Sequence, residues 1–147
     1  TDELALVLPT NHKLATSKEL TKEDLYSLGF ITLDTQSTTR KVVDQLLSSS
    51  GLDVQRLNIE MELNSLEAIK NAVQANLGAA FLPVVSIERE LLGGSLHRPI
   101  VADLEVKREL KVITNPGRYS SRAAEAFTKD ILPLFASSVS PLFISKA

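Results

Sequence analysis

An α/β fold, with a mixed, mostly parallel sheet flanked by helices, follows from three features of this 147-residue sequence. Short apolar or alternating runs of strand length take turns with longer segments whose apolar residues recur at helical spacing. Two of the helical segments, from Ser37 or Thr38 to Ser49 and 65–78, open on Ser or Thr and are stopped by Gly, so their ends are marked. No tandem repeat, low-complexity run or charge block interrupts the alternation. Strands and helices at these intervals build sheets covered on both faces.

The elements follow in chain order. "LALVLP" (4–9) is a buried-strand run ended by Pro9, with a polar loop through "TNHK" after it. "TKEDLYSL" (21–28) reads as a short helix capped by Thr21, with Asp24 at capping-box spacing. "GFITL" (29–33) is a strand. From Ser37 or Thr38 to Ser49, Val42, Val43, Leu46 and Leu47 fall at helical spacing, and Gly51 stops the helix. "RLNIEMEL" (56–63) alternates Leu57, Ile59, Met61 and Leu63, a strand with one buried face. "SLEAIKNAVQANLG" (65–78) is a second amphipathic helix with Leu66, Ile69, Ala72 and Val73 inward, closed by Gly78. "AAFLP" (79–83) is an interior strand, "VSIERELLGG" (85–94) a helix stopped by a Gly pair, and "SLHRPI" (95–100) a short edge strand. "RELKVIT" (108–114) alternates as a strand, "NPGRYS" is a turn, and "SRAAEAFTKDILPLFA" (121–136) is a final helix. The tail at 137–147 is read as coil.

Composition narrows the function classes. Hydrophobic residues make up 44% and charged ones 23%, an ordinary balance for a folded domain. A net charge of −2 gives the chain no electrostatic means of holding DNA or an anionic membrane by itself. The absence of cysteine excludes disulfides, zinc ribbons and thiol catalysis, and is compatible with a reducing cytoplasm. No apolar stretch approaches the roughly 20 residues a bilayer span requires. The opening "TDELALVLP" carries neither a basic region nor a cleavage site, so it is not a signal peptide. It starts on Thr1 and enters a strand at once, as a fragment of a longer protein would.

The most informative stretch is "ITLDTQSTTRKVVDQLL" (31–47). A strand runs out into polar residues just where a helix begins. The first-turn N–H groups, the helix dipole and the hydroxyls of Ser37, Thr38 and Thr39 together make an anion cradle. Arg40 is misplaced for the dipole unless an anion or carboxylate sits near it. Two readings fit: the cradle, or one hydroxyl capping the helix while the others are solvated turn residues. A second strand-to-helix turn of the same kind, at Asn64 and Ser65, favours the cradle, because parallel strands open both turns on one sheet edge. Neutral, donor-rich helix starts with no His, Cys or carboxylate pair between them describe a binding site rather than a catalytic one.

Other candidate chemistry is sparse. Glu60 and Glu62 share a face opposite the apolar set and read as solvent-facing, within reach of Arg56. His12 and His97 are far apart in sequence and lack partners at metal-ligand spacing. There is no G-x-S-x-G elbow, and "NLGAA" and "LLGGS" match no phosphate loop. No enzyme, metal or cofactor is expected from these residues.

Three segments resemble the regulatory domain of LysR-type transcriptional regulators, in the family's order and over nearly the whole chain to about residue 135. "DELALVLPTNHKLA" is similar to the strand and loop that open the second regulatory lobe. "LNSLEAIKNAVQANLGAAFLP" resembles the family's segment of pattern "E…S…I…V.AGLGIA.LP", and "LKVITNPGRYSSRAAEAFTKDI" its last strand and helix. Within the family, the second and third segments look most like the cyanobacterial and plastid regulators of the Rubisco-operon type. Lys13 stands where Pro is usual and Asn76 where Gly or a small residue is frequent; neither touches the cradle.

The resemblance implies a periplasmic-binding-protein-like fold (type 2) of two α/β lobes, with an effector held between them. Residues 1–104 would be the second, effector-binding lobe, 105–136 the strand and helix returning to the first lobe, and 137–147 a C-terminal tail. Carried over by position, the effector contacts fall on Thr35, Gln36, Ser37, Thr38, Asn64 and Ser65, with Thr39 and Arg40 as first-turn neighbours. The implied ligand is a small anionic metabolite such as a sugar phosphate or 2-oxo acid. The implied partners are further copies of the regulator, in a dimer or tetramer, and DNA through an N-terminal helix-turn-helix outside this chain. The implied location is cytoplasm or plastid stroma, and the implied role is control of carbon-fixation genes. A transport-linked solute-binding lobe shares the fold and is the alternative. The upstream sequence would separate the two.

Overall fold

The computed structural model describes residues 2–109, 113 and 120–135. The chain divides into two compact units, Thr1–Leu110 and Lys111–Ala147.

In the first unit, β1 (Asp2–Pro9) is the central strand, and it is buried along almost its whole length. Leu4, Leu6 and Leu8 pack into one apolar cluster and Val7 into another, so the period-two alternation of a strand fills both faces of the sheet. Helices α1 (Lys22–Leu25) and α2 (Thr38–Ser49) contribute to the first cluster through Leu25 and Leu47. Helix α3 (Leu66–Gln74) contributes Ile69 and Val73 to the second.

Strands β2 (Gly29–Leu33) and β3 (Asn58–Leu63) pair in parallel across the α2 crossover. A parallel bridge between Phe30 and Ala79 joins β2 to the start of β4 (Ala80–Pro83), which in turn pairs antiparallel with β1. Helix α4 (Glu88–Leu92) leads into β5 (Leu96–His97), and β6 (Val106–Arg108) follows. Both short strands pair antiparallel with β1. The sheet is mixed, as expected, but the parallel share is smaller than the alternation implied. The parallel part ends at β4, because β1 runs opposite to every neighbour. The C-terminal ends of β2, β3 and β4 therefore lie on one sheet edge.

Several local expectations change. Helix α1 is one turn long and carries the full capping box, Thr21 Oγ1 accepting from Asp24 N–H and Asp24 Oδ2 accepting from Thr21 N–H. Val42 is 42% exposed, because the inward side of α2 is taken by Arg40, Val43, Leu46 and Leu47. Gly78 does not close α3. Asn76, at φ 63°, takes the left-handed position, with its N–H on the Val73 carbonyl and that of Leu77 on the Ala72 carbonyl. Gly78 instead lets β2 approach, since a Cβ there would stand 2.8 Å from the Gly29 carbonyl oxygen. Only 106–108 of the last strand region are seen as strand, and most of 110–119 and all of 136–147 lie outside the described residues.

In the second unit, Ser121 caps α5 (Arg122–Ala126), which continues through a π-helical stretch, Phe127–Ile131, into α6 (Leu132–Phe135). Pro133 accounts for the wide turn: it lacks an N–H, and its ring would collide with the carbonyl four residues back in a regular α-helix. Phe127, Ile131 and Leu134, at helical spacing, are exposed.

Candidate functional site

The two strand-to-helix corners adjoin. Leu33 and Leu63 are register partners at the ends of β2 and β3, and the next amide, Asp34 N–H, donates to the Leu63 carbonyl at 3.1 Å. Beyond that point each strand turns into a helix through a serine. Ser37 caps α2, its Oγ accepting from Arg40 N–H at 3.4 Å. Ser65 caps α3, its Oγ accepting from Ala68 N–H at 3.1 Å. Both serines hold extended backbone, as an N-cap requires.

Capping satisfies one first-turn donor in each helix and leaves others. Among the described residues, no protein acceptor meets the N–H groups of Thr38 and Thr39 in α2 or of Leu66 and Glu67 in α3. Four amide donors therefore stand at two neighbouring positive helix ends. Thr35, Gln36, Thr38 and Asn64 are exposed, and Ser37, Thr39 and Ser65 are half-buried. One pocket draws on both corners, with Leu33, Thr39 and Arg40 from the first and Leu66 from the second, and with Pro83 from the end of β4. Its remaining lining is largely apolar, so the few polar groups decide what fits.

The first corner is organised by a residue the sequence reading passed over. Asp34 Oδ1 accepts Gln36 N–H at 2.9 Å and its carbonyl accepts Ser37 N–H at 3.0 Å, an Asx turn. An Asp at the strand end, immediately before the polar run Thr35–Thr39, was the available signal. Arg40 lies differently from its neighbours. Its guanidinium faces Asp44, one helical turn on, and the Leu33 carbonyl, with Glu62 of β3 at 3.6 Å. Carboxylates therefore supply the compensation its place in the first turn demands. Glu62 serves Arg40 rather than Arg56, which pairs with Glu23 and stacks on the Tyr26 ring. Glu60 takes a hydrogen bond from the Asn58 side chain.

Near the second corner, Lys70 bridges Glu90 at 2.8 Å and Glu67 at 2.9 Å and donates to the Ser86 carbonyl. The hydrogen bond to Glu90, then that to Glu67, raises the Lys70 pKa above its ordinary value, and the same lysine lowers that of Glu90. Lys70 thus ties α3 to the segment entering α4 and holds Glu67 beside the helix start. Among the described residues, no group of three or more His, Cys, Asp or Glu side chains is placed to hold a metal ion, and no helix is long and apolar enough to cross a membrane.

This geometry can be set beside known proteins. The LysR substrate binding domain family matches residues 1–134. A probable RuBisCO transcriptional regulator of Synechocystis sp. (strain ATCC 27184 / PCC 6803 / Kazusa) is 55% identical over 135 residues, 92% of this chain and 39% of that protein. Regulators of the same description from Trichormus variabilis and Gracilaria tenuistipitata var. liui are 57% and 56% identical, covering 92% and 91% of this chain and 40% and 43% of theirs. The chain thus spans about two-fifths of the length of these relatives. Among solved structures, the CcmR regulatory domain of Synechocystis PCC6803 in complex with 2-PG superposes with a TM-score of 0.67 at 21% identity, covering 86% of this chain and 60% of that one. The effector binding domain of QuiR in complex with shikimate gives 0.61 at 20%, covering 86% and 58%. These two likenesses establish the mixed α/β fold, periplasmic-binding-protein-like and part of a two-lobe domain. By family match and by relatives of this identity, the chain belongs to the LysR substrate-binding domain family.

Proposed function

We propose that this chain is the effector-binding part of a LysR-type, DNA-binding transcriptional regulator of carbon-fixation genes, and that it receives a small anionic metabolite at the two serine-capped corners. The observation that carries the proposal is their adjacency: Asp34 N–H on the Leu63 carbonyl at 3.1 Å brings two sets of unengaged first-turn amides to one sheet edge. A phosphate or carboxylate is the natural guest of such amides. The relatives named as RuBisCO regulators support the regulatory reading over a transport one, and 2-PG and shikimate, each bearing an anionic group, are what the two structural neighbours hold.

In this reading Thr35, Gln36, Ser37, Thr38 and Thr39, with Asn64 and Ser65, surround the anion, and Arg40 stands behind them. No side chain is asked to do chemistry, and no enzymatic step is assigned. Residues 1–104 form the second lobe, and 105–136 return to a first lobe supplied by the longer protein. The first lobe's sheet would cover the exposed stripe of Phe127, Ile131 and Leu134. The metabolite bridges the lobes, and its difference in affinity for open and closed arrangements shifts a dimer or tetramer between DNA-binding states. DNA is held through a helix-turn-helix outside this chain, in the cytoplasm or plastid stroma.

The amide contribution can be removed without touching the fold. Thr38 is the first residue of α2, where proline is accepted, and Ser37 before it is already extended at φ −65°, ψ 125°. Thr38→Pro deletes one N–H donor. Calorimetric titration with 2-PG should show binding weakened by about 1.5–3 kcal/mol, the range for a hydrogen bond to a charged group, with the thermal midpoint unchanged. Undiminished binding would remove the Thr38 amide from the site.

A further inference from the structure

Arg40 is a cation in the first turn of a helix, where the dipole disfavours it, yet its side chain is only 10% exposed. Its Nε lies 2.7 and 2.9 Å from the two Asp44 carboxylate oxygens, and its Nη1 donates to the Leu33 carbonyl at 3.0 Å. Glu62 stands 3.6 Å away. Its charge is compensated before any ligand arrives.

The Leu33 carbonyl belongs to the same peptide group as Asp34 N–H, which donates to Leu63 across the sheet. That peptide is therefore held at both poles, by Arg40 at its oxygen and by β3 at its nitrogen. The chain then passes through the Asx turn at Asp34 to Ser37, whose Oγ accepts the backbone N–H of Arg40. One residue thus fastens the corner twice, with its side chain where the corner leaves the strand and with its backbone where the corner enters the helix.

We propose that Arg40 is a positioning residue for anion recognition: it clasps the corner that aims the Thr38 and Thr39 amides, and does not itself contact the anion. This rests on the reading of the two corners as the anion site. The clasp acts through geometry and not through net charge. A corner formed in only a fraction of molecules binds in proportion to that fraction, with no contact to the ligand lost.

Charge and geometry give opposite signs for one substitution. Asp44→Ala removes a carboxylate near an anion site, which on Coulombic grounds strengthens anion binding. It also removes the acceptor that anchors Arg40, which on the clasp account weakens it. Alanine is a good helix former, so α2 survives the change. The test titrates the whole 147-residue chain with inorganic phosphate and follows the amide resonances of Thr38, Thr39, Leu66 and Glu67 by NMR. The unaltered chain is expected to show saturable shifts at these amides. Asp44→Ala should bind about fivefold more weakly, as follows if the corner is formed in about a fifth of molecules. Arg40→Lys keeps the charge but not the planar fork that reaches Asp44 and Leu33 together, and should weaken in parallel.

Equal or tighter phosphate binding by Asp44→Ala, or an Arg40→Lys variant that binds like the unaltered chain, overturns the clasp and leaves the corners standing as the site. Absence of shifts at all four amides in the unaltered chain defeats the site reading itself, and the clasp with it.

Discussion

His12 shows how one side chain couples local structure to pH. Its Nδ1 accepts the Leu14 N–H at 3.2 Å and so caps the short 3-10 turn Lys13–Thr16 that follows β1. Only the neutral imidazole can accept that bond. Partial burial, and then the adjacent Lys13, hold the His12 pKa below its ordinary value of 6.5. The unfolded chain therefore binds this proton more readily, and the contribution of His12 to stability is full above 6.5 and lost as pH falls through the lowered folded value. Urea denaturation at pH 7 and 5.5 should show a loss of stability in the unaltered chain that is smaller in His12→Ser, whose hydroxyl caps without titrating in this range. Equal losses would place the pH response elsewhere. At this scale helix starts were legible because caps are written in local sequence: Thr21 caps as its spacing foretold, and the start read at Ser37 or Thr38 and the polar pair Asn64 and Ser65 resolve to Ser37 and Ser65 as the caps. The partners of Arg40 were harder to read. Asp44 is one helical turn away and could have been seen, whereas Glu62 comes from another strand, and only the register of β2 with β3 brings it close.

Among the elements, the order of strands and helices through β5 was plain in the sequence, while boundaries depended on tertiary contacts and the strand expected at 108–114 lies mostly outside the described residues. The apolar run of β1 could not say which neighbours it would take, since a strand buried on both faces pairs equally well in either direction. Gly78 was misread for a related reason. Sequence shows a glycine after a helix, but not the strand that packs against it. The two residues separate experimentally. Asn76 occupies the left-handed position after α3, so Asn76→Gly should leave stability within a few tenths of a kcal/mol, and Asn76→Ala should lower it by about 1 kcal/mol. Gly78→Ala should cost more, because its Cβ would press on the Gly29 carbonyl. That carbonyl accepts Ala79 N–H at 2.8 Å and cannot retreat without breaking the joint between β2 and β4. Denaturation midpoints in urea order the three variants, and a Gly78→Ala protein as stable as Asn76→Ala would contradict the close-approach role.

At the scale of the molecule, the fold brings the starts of α2 and α3 to the same sheet edge, which is what the proposed anion site requires. Parallel β2 and β3 impose this, since each strand must end where its following helix begins. In the proposed site, recognition lies in backbone donors held by Ser37, Ser65, Asp34 and Arg40, and not in a reactive side chain. A net charge of −2 does not oppose the proposed anion site, because helix ends provide local positive potential without formal charge. The pairing of the corners followed from the sequence because it needs only strand, cap and helix in succession. The clasp behind them did not, because it depends on side chains meeting across the sheet. The most direct test is a crystal structure of the full-length protein with 2-PG bound. The account predicts an anionic oxygen within about 3 Å of at least one amide nitrogen in each helix start, Thr38 or Thr39 in one and Leu66 or Glu67 in the other. An anion seated on the Arg40 guanidinium, or away from both corners, would contradict it.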